Sequence, residues 1–140
     1  MKKEFSKILI ADDDELLREA YADFFASAQY EVATAKNGSD ALDLIKANDY
    51  DIVFTDYDMP YLNGVELVAR CQVLEKKLPA FILITGHAHT KQLGDTSKFS
   101  AVLRKGTDVV KLLSTLENAL AQSITVSIGS LRAAPQSAFA

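Results

Sequence analysis

The sequence predicts an α/β domain: a five-stranded parallel sheet with five helices covering its two faces. Two observations carry that prediction. Five short apolar runs recur along the chain, and segments with helical spacing of apolar residues lie between them. Regular alternation of strand and helix favours a parallel sheet, because each crossover returns through a helix packed on a sheet face. The length of 140 residues is that of one ordinary domain. Apolar residues make up 49% and charged residues 24%, close to globular averages, so a packed core is expected.

The strands are read from "KILIA" (7–11), "YEVATA" (30–35), "DIVFTD" (51–56), "AFILIT" (80–85) and "SAVLRK" (100–105). Four of them are nearly continuous apolar runs, as expected of strands covered on both faces. Leu16, Leu17, Ala20, Tyr21, Phe24, Phe25 and Ala28 mark a first helix by their spacing of three and four. Ala41, Leu42 and Ile45 mark a second, opened by Gly38 and Ser39. Leu67, Val68, Cys71 and Leu74 mark a third. The polar segment "HAHTKQLGDTSK" (87–98), which contains Gly94, is the weakest helix. Val109, Leu112, Leu113, Leu116, Ala119 and Leu120 mark the last, with Thr107 as its N-cap. From Ser123 the composition turns small and polar, so 1–122 reads as the domain and 123–140 as a tail or linker. Ile124, Val126 and Ile128 alternate there, which leaves pairing with a sheet edge as the alternative.

Composition excludes several classes. The net charge of −4 argues against a nucleic-acid footprint, which would be basic and clustered. Cys71 is the only cysteine, so no intrachain disulfide can form. The apolar run after the basic start is cut short by acids, which is not a signal peptide. No stretch of about 20 apolar residues suggests a membrane span. The expected location is the cytoplasm.

Chemistry-bearing residues fall at the strand ends. Ligands of open α/β sheets bind beyond the carboxyl ends of the strands. The first strand runs into Asp12 and Asp13, the third ends in Asp56, the fourth in Thr85 and the fifth in Lys105. Only the second ends without such a group. If that strand lies at an edge, the other four ends converge on one crevice. Two carboxylates ~4 Å apart repel by roughly 4 kcal/mol at an effective dielectric near 20. A hard divalent cation removes that repulsion, and Mg²⁺ typically takes one or two carboxylates, waters and phosphate oxygens. Asp14 stands just before the first helix, where a short carboxylate caps free N–H groups.

These residues resemble the receiver domains of two-component response regulators. The resemblance covers 6 to about 121 and rests on "ILIADDDE", "DIVFTDYDMPYLNG", "ILITGH" and "VLRKG", in that order at strand ends. It implies a flavodoxin-like, doubly wound fold with strand order 2-1-3-4-5. It implies that Asp56 accepts a phosphoryl group from a sensor histidine kinase or phosphotransfer protein. It implies that Asp13, Asp56 and the backbone carbonyl of Asp58 hold Mg²⁺, with Asp12 acting through a metal-bound water. Thr85, Lys105 and the backbone N–H groups of Tyr57 and Gly86 would bind the phosphoryl group. The output partner or C-terminal effector domain is not named by these residues, and a homodimer is left open. No contact with nucleic acid or membrane is expected from them. Two positions depart from the family: Gly106 replaces the usual proline, and Val102 replaces the usual aromatic residue of the switch that begins at Thr85. Valine is short and stiff at χ1, so the switch is expected to change order in 86–99 instead.

The same residues admit other readings. "FTDYD" also resembles the start of haloacid-dehalogenase-type phosphatases, with Asp56 as nucleophile and Asp58 as acid. Their pattern wants Thr or Val where Pro60 stands, and further acids C-terminal to the nucleophile. A degenerate receiver that only binds partners would not need Asp12, Asp13, Asp56, Thr85 and Lys105 together. A metal site at His87 and His89 lacks a third ligand. Cys71 falls on an apolar stripe and belongs to the core. Tyr57 and Tyr61 flank the crevice and shape it.

Overall fold

A computed structural model of the chain describes residues 6–86 and 93–131. Its strands are β1 (Lys7–Ala11), β2 (Glu31–Ala35), β3 (Ile52–Asp56), β4 (Ala80–Thr85) and β5 (Ala101–Arg104). All pair in parallel, in the order β2-β1-β3-β4-β5. The helices are α1 (Glu15–Ser27), α2 (Gly38–Ala47), α3 (Gly64–Cys71) and α4 (Val109–Leu131). The predicted class and strand order are therefore found. Five helices were expected and four occur among the described residues. Residues 93–100 hold no α-helix; the rest of the helix predicted over 87–98, with His87 and His89, lies outside the described residues.

Alternation along the central strands divides the core between the two sheet faces. Leu9, Ala11 and Val53 join Ala41, Leu42 and Ile45 of α2 and Leu67, Val68 and Cys71 of α3 in one buried cluster. Cys71 is thus a core residue, as expected. Ile8, Ile10, Ile52 and Phe54 alternate with that set and are equally buried. On their face Phe25 of α1 stacks on Phe54, with ring centroids 5.0 Å apart.

The local details correct several readings. Leu16 and Ala20 face solvent, Leu16 at 80% exposure, so the α1 stripe is Leu17, Tyr21, Phe24, Phe25 and Ala28. Leu74 lies past the end of α3 and reaches the core from the following turn. Asp108, not Thr107, caps α4: its carboxylate accepts from the Lys111 N–H at 2.9 Å, while Thr107 donates its hydroxyl to the Arg104 carbonyl. The backbone of 123–131 is helical, so its alternating apolar residues do not pair as a strand. No proline stands between Val109 and Pro135, and a helix already nucleated gains one bond per residue added. Among the described residues no helix is long and apolar enough to cross a membrane.

The end of α1 stores strain that can be removed. Gln29 follows the helix with φ +72°, and the Tyr30 N–H returns to the Phe25 carbonyl at 3.1 Å. This left-handed closing position favours glycine, and another residue costs about 1 kcal/mol there. Gln29 is exposed, so its side chain gives little in return. Gln29→Gly should raise stability by about 1 kcal/mol and the thermal midpoint by about 4 °C. A lowered midpoint would contradict the left-handed cap.

Candidate functional site

Strand register brings the acids together. β1 and β3 are neighbours, and Ala11 pairs with Thr55, so Asp12 and Asp56 come next on adjacent strands, which lie about 4.8 Å apart. On β4 Ile84 pairs with Asp56, so Thr85 stands one residue further along, and Lys105 follows Arg104, the partner of Thr85 on β5. The Lys105 N–H donates to the Thr85 carbonyl at 2.9 Å and so extends the ladder by one rung. β2 is an edge strand, as the converging-ends reading required.

The acidic turn after β1 separates its three carboxylates by role. Asp14 accepts from the N–H groups of Leu16 and Leu17 at 3.0 and 3.2 Å, which makes it the N-cap of α1. Asp12 is buried and accepts the Asp14 N–H on Oδ1 at 2.9 Å. Asp13 is exposed. One carboxylate oxygen from each of Asp12, Asp13 and Asp56 lies within 4.8 Å of the others. At that spacing each charged pair repels by about 3–4 kcal/mol at an effective dielectric near 20.

Asp56 sits at the centre. Its Oδ2 accepts from Lys105 Nζ at 3.2 Å. Its Oδ1 is buried and has no hydrogen-bond partner among the described residues. Burial first, and then the charge of Asp12, push the Asp56 carboxyl up to about 6, although Lys105 offsets part of that rise. Asp12 is raised by burial as well. Desolvation alone would lower Lys105, but the charge and hydrogen bond of Asp56 outweigh it, so the ammonium is held more firmly than in water. One lysine facing several acids leaves net negative charge in a buried place. The orphaned Oδ1 and the clustered hard oxygens fit a divalent metal ion.

Two loops frame the cluster. Gly64 donates its N–H to the Tyr57 carbonyl, and a Cβ there would lie 2.6 Å from the Asp56 carbonyl oxygen, so only glycine lets α3 start this close to the strand end. Asn63 and Glu66 form a reciprocal capping box at the same point. Across the site, Gly106 has φ +89° and the Thr107 N–H returns to the Arg104 carbonyl at 3.1 Å. That is a turn with a positive φ at its third position, a conformation proline cannot adopt.

The structure thus brings together Asp12, Asp13, Asp56 and Lys105, with buried Thr85 at the neighbouring strand end. Asp58 and Gly86 lie exposed, each within two residues of a strand end. The Tyr57 N–H is already engaged, donating to the Ile84 carbonyl at 3.0 Å. Val102 is half-buried and pairs with Leu83. Two neighbours were missed by the sequence reading. Tyr21 counted only as an apolar stripe residue, yet its phenol is half-buried and pushed up by burial and by the charges of Asp12 and Asp56. Arg18 was not singled out at all, yet its Nη1 donates to the Asp12 carbonyl at 2.9 Å.

The raised carboxyl gives a pH dependence opposite in sign to the usual one. Between about pH 4 and 6 folded Asp56 keeps a proton that the unfolded chain has released. Metal-free stability should therefore fall as pH rises through that window, by about 1–3 kcal/mol. Asp56→Asn should remove most of the fall, and a divalent cation should restore stability at pH 7. Denaturant unfolding in EDTA across pH 4–7 reads this; stability that rises through the window and is indifferent to Asp56→Asn would contradict it.

Comparison with known proteins agrees with this geometry. The sequence pattern of the response regulator receiver domain matches residues 8–120. The sensor histidine kinase RcsC of Escherichia coli is 35% identical over 112 residues, which is 78% of this chain and 12% of that protein. The phosphoglycerate transport system transcriptional regulatory protein PgtA of Salmonella typhimurium is 34% identical over 85% of this chain and 29% of its own length. The chain thus spans well under two thirds of these relatives. The solved response regulator TrrA of Thermotoga maritima, in complex with Mg²⁺ and BeF, superposes with a TM-score of 0.76 at 27% identity, covering 83% of this chain and 100% of that one. Matched along most of its length, with its acids at the ends of β1 and β3 and its lysine after β5, the chain belongs to the response regulator receiver domain family.

Proposed function

We propose that Asp56 is the phosphoacceptor of this receiver and that Mg²⁺ is its metal. The observation that carries the reading is the state of the Asp56 carboxylate: Oδ1 buried and unpartnered, Oδ2 held by Lys105, with Asp12 and Asp13 beside it. Asp13, Asp56 and the Asp58 carbonyl would hold Mg²⁺, with Asp12 acting through a bound water. The relative solved with Mg²⁺ and BeF supports that choice of metal. Bound Mg²⁺ would supply neutralisation of charge on the phosphoryl oxygens.

The chain's own residues do the rest. A carboxylate oxygen of Asp56 attacks the phosphorus of a phosphohistidine on a sensor kinase or phosphotransfer protein. The P–N bond breaks and its electron pair leaves with the imidazole. Such transfer depends on positioning and charge neutralisation more than on covalent help. Lys105 exchanges its hold on Asp56 Oδ2 for a phosphoryl oxygen. The Thr85 hydroxyl and the Gly86 N–H donate to the others. The Tyr57 N–H can contribute only by sharing its bond to Ile84. The chain is an acceptor that switches a partner surface or an effector domain, acts in the cytoplasm, and does not turn over substrate.

Transmission follows from Val102. A half-buried valine in the β4–β5 ladder cannot sweep from solvent to core as a ring would. The change at Thr85 is therefore passed to the connection from 86 to 99. The receiver occupies 1–122, which the matched range ending at 120 supports, and 123–140 serve as linker.

Incubation with acetyl phosphate and Mg²⁺ should add one phosphoryl group by intact mass. The addition should be absent in Asp56→Asn and in EDTA. Labelling that survives either condition would sink the assignment, and release of many equivalents of phosphate per chain would favour a phosphatase instead.

A further inference from the structure

The carbonyl of Asp12 lies at the end of β1, where the ladder stops. Its N–H still pairs with the Ala35 carbonyl on β2 at 3.1 Å. Its carbonyl is taken by a side chain six residues on, Nη1 of Arg18, at 2.9 Å. The Arg18 backbone is itself fixed, because its N–H donates to the Asp14 carbonyl at 2.9 Å within the first turn of α1. The Asp12 peptide is therefore clamped from both sides, by the edge strand and by α1. The Asp12 side chain adds a third tie through the Asp14 N–H.

We propose that Arg18 is a positioning residue for the metal centre: by holding the Asp12 carbonyl it fixes the turn that presents Asp12 and Asp13 to Asp56. The inference rests on the metal reading of the acid cluster. Charge alone would act with the opposite sign. Arg18 is a cation near a site that would bind a cation, so removing it should strengthen metal binding if charge were its only effect. Removing a positioning bond should weaken it, since groups that orient ligands from behind typically carry 10- to 100-fold in affinity. The cation that offsets the acids directly is Lys105, which reaches Asp56 Oδ2 at 3.2 Å.

Arg18 also suits mutation. It is only half-buried, and it lines an open surface cleft of about 440 Å³ together with Lys36 and Asp43. Replacing it opens a wet wall and leaves no void in the core, so the fold should persist. Arg18→Met keeps the aliphatic stem and removes both donor and charge. Arg18→Lys keeps the charge and a donor.

The test is a Mg²⁺ titration of the whole chain, followed by backbone amide shifts, beside denaturant unfolding in EDTA. Arg18→Met should raise the Mg²⁺ Kd roughly tenfold while metal-free stability changes little, and Arg18→Lys should recover part of the loss. In the wild-type chain the Arg18 Nη protons should exchange slowly, which reads the bond without any substitution. An unchanged or lowered Kd in Arg18→Met, or freely exchanging Nη protons in the wild type, would overturn the proposal while leaving the metal site standing. Failure of the wild-type chain to bind Mg²⁺ at all would overturn the metal reading, and this inference with it.

Discussion

The repulsion between Asp12 and Asp56 is the constraint on which the site depends. Two neighbouring parallel strands each run into an aspartate at the same level, and both residues are 2% exposed. No ordinary fold places charges this way for stability, because burial and like charge both oppose ionisation. Lys105 relieves part of the conflict from across β4. What remains is a buried acid cluster with excess negative charge, which favours a proton or a cation. The fold thus generates a demand for positive charge at the ends of β1 and β3.

The surrounding structure can be read as support for that conflict. Apolar strands on both sides keep the sheet rigid where the acids sit. Glycine at 64 lets α3 begin against the Asp56 carbonyl. The Asp14 cap and the Arg18 bond hold the acidic turn from the α1 side. On the far side the positive φ of Gly106 shapes the turn that carries Lys105. The family's usual proline would demand φ near −65° at that position, so glycine here marks a different loop and not a neutral replacement. Lys105 nevertheless reaches Asp56, because the Lys105 N–H is tied to the Thr85 carbonyl just ahead of Gly106.

Much of this was legible in the sequence, for physical reasons that differ by element. Buried parallel strands need continuous apolar runs, and a charged residue at the end of such a run is conspicuous; Asp12, Asp56 and Lys105 were visible for that reason. The Asp14 cap was legible because caps are local. The phase of α1 was not, since Leu16 and Ala20 continue the same spacing as the stripe that is buried. Thr107 and Asp108 are both good caps, and spacing cannot choose between them. The continuation of α4 past Ser123 was hidden by small polar residues, which permit a helix without announcing one. Arg18 left no pattern, because its partner is a backbone carbonyl that every residue has.

The central claim is that Asp56 is a carboxylate held in electrostatic conflict that a metal ion resolves. The most direct measurement is its own titration, by NMR of selectively ¹³C-labelled aspartate side chains, with and without Mg²⁺. The account predicts a metal-free midpoint of about 6 for Asp56, falling by more than about one unit in Mg²⁺, a change of more than about 1.4 kcal/mol in favour of the charged form. A midpoint in the ordinary aspartate range that does not move with Mg²⁺ would contradict it.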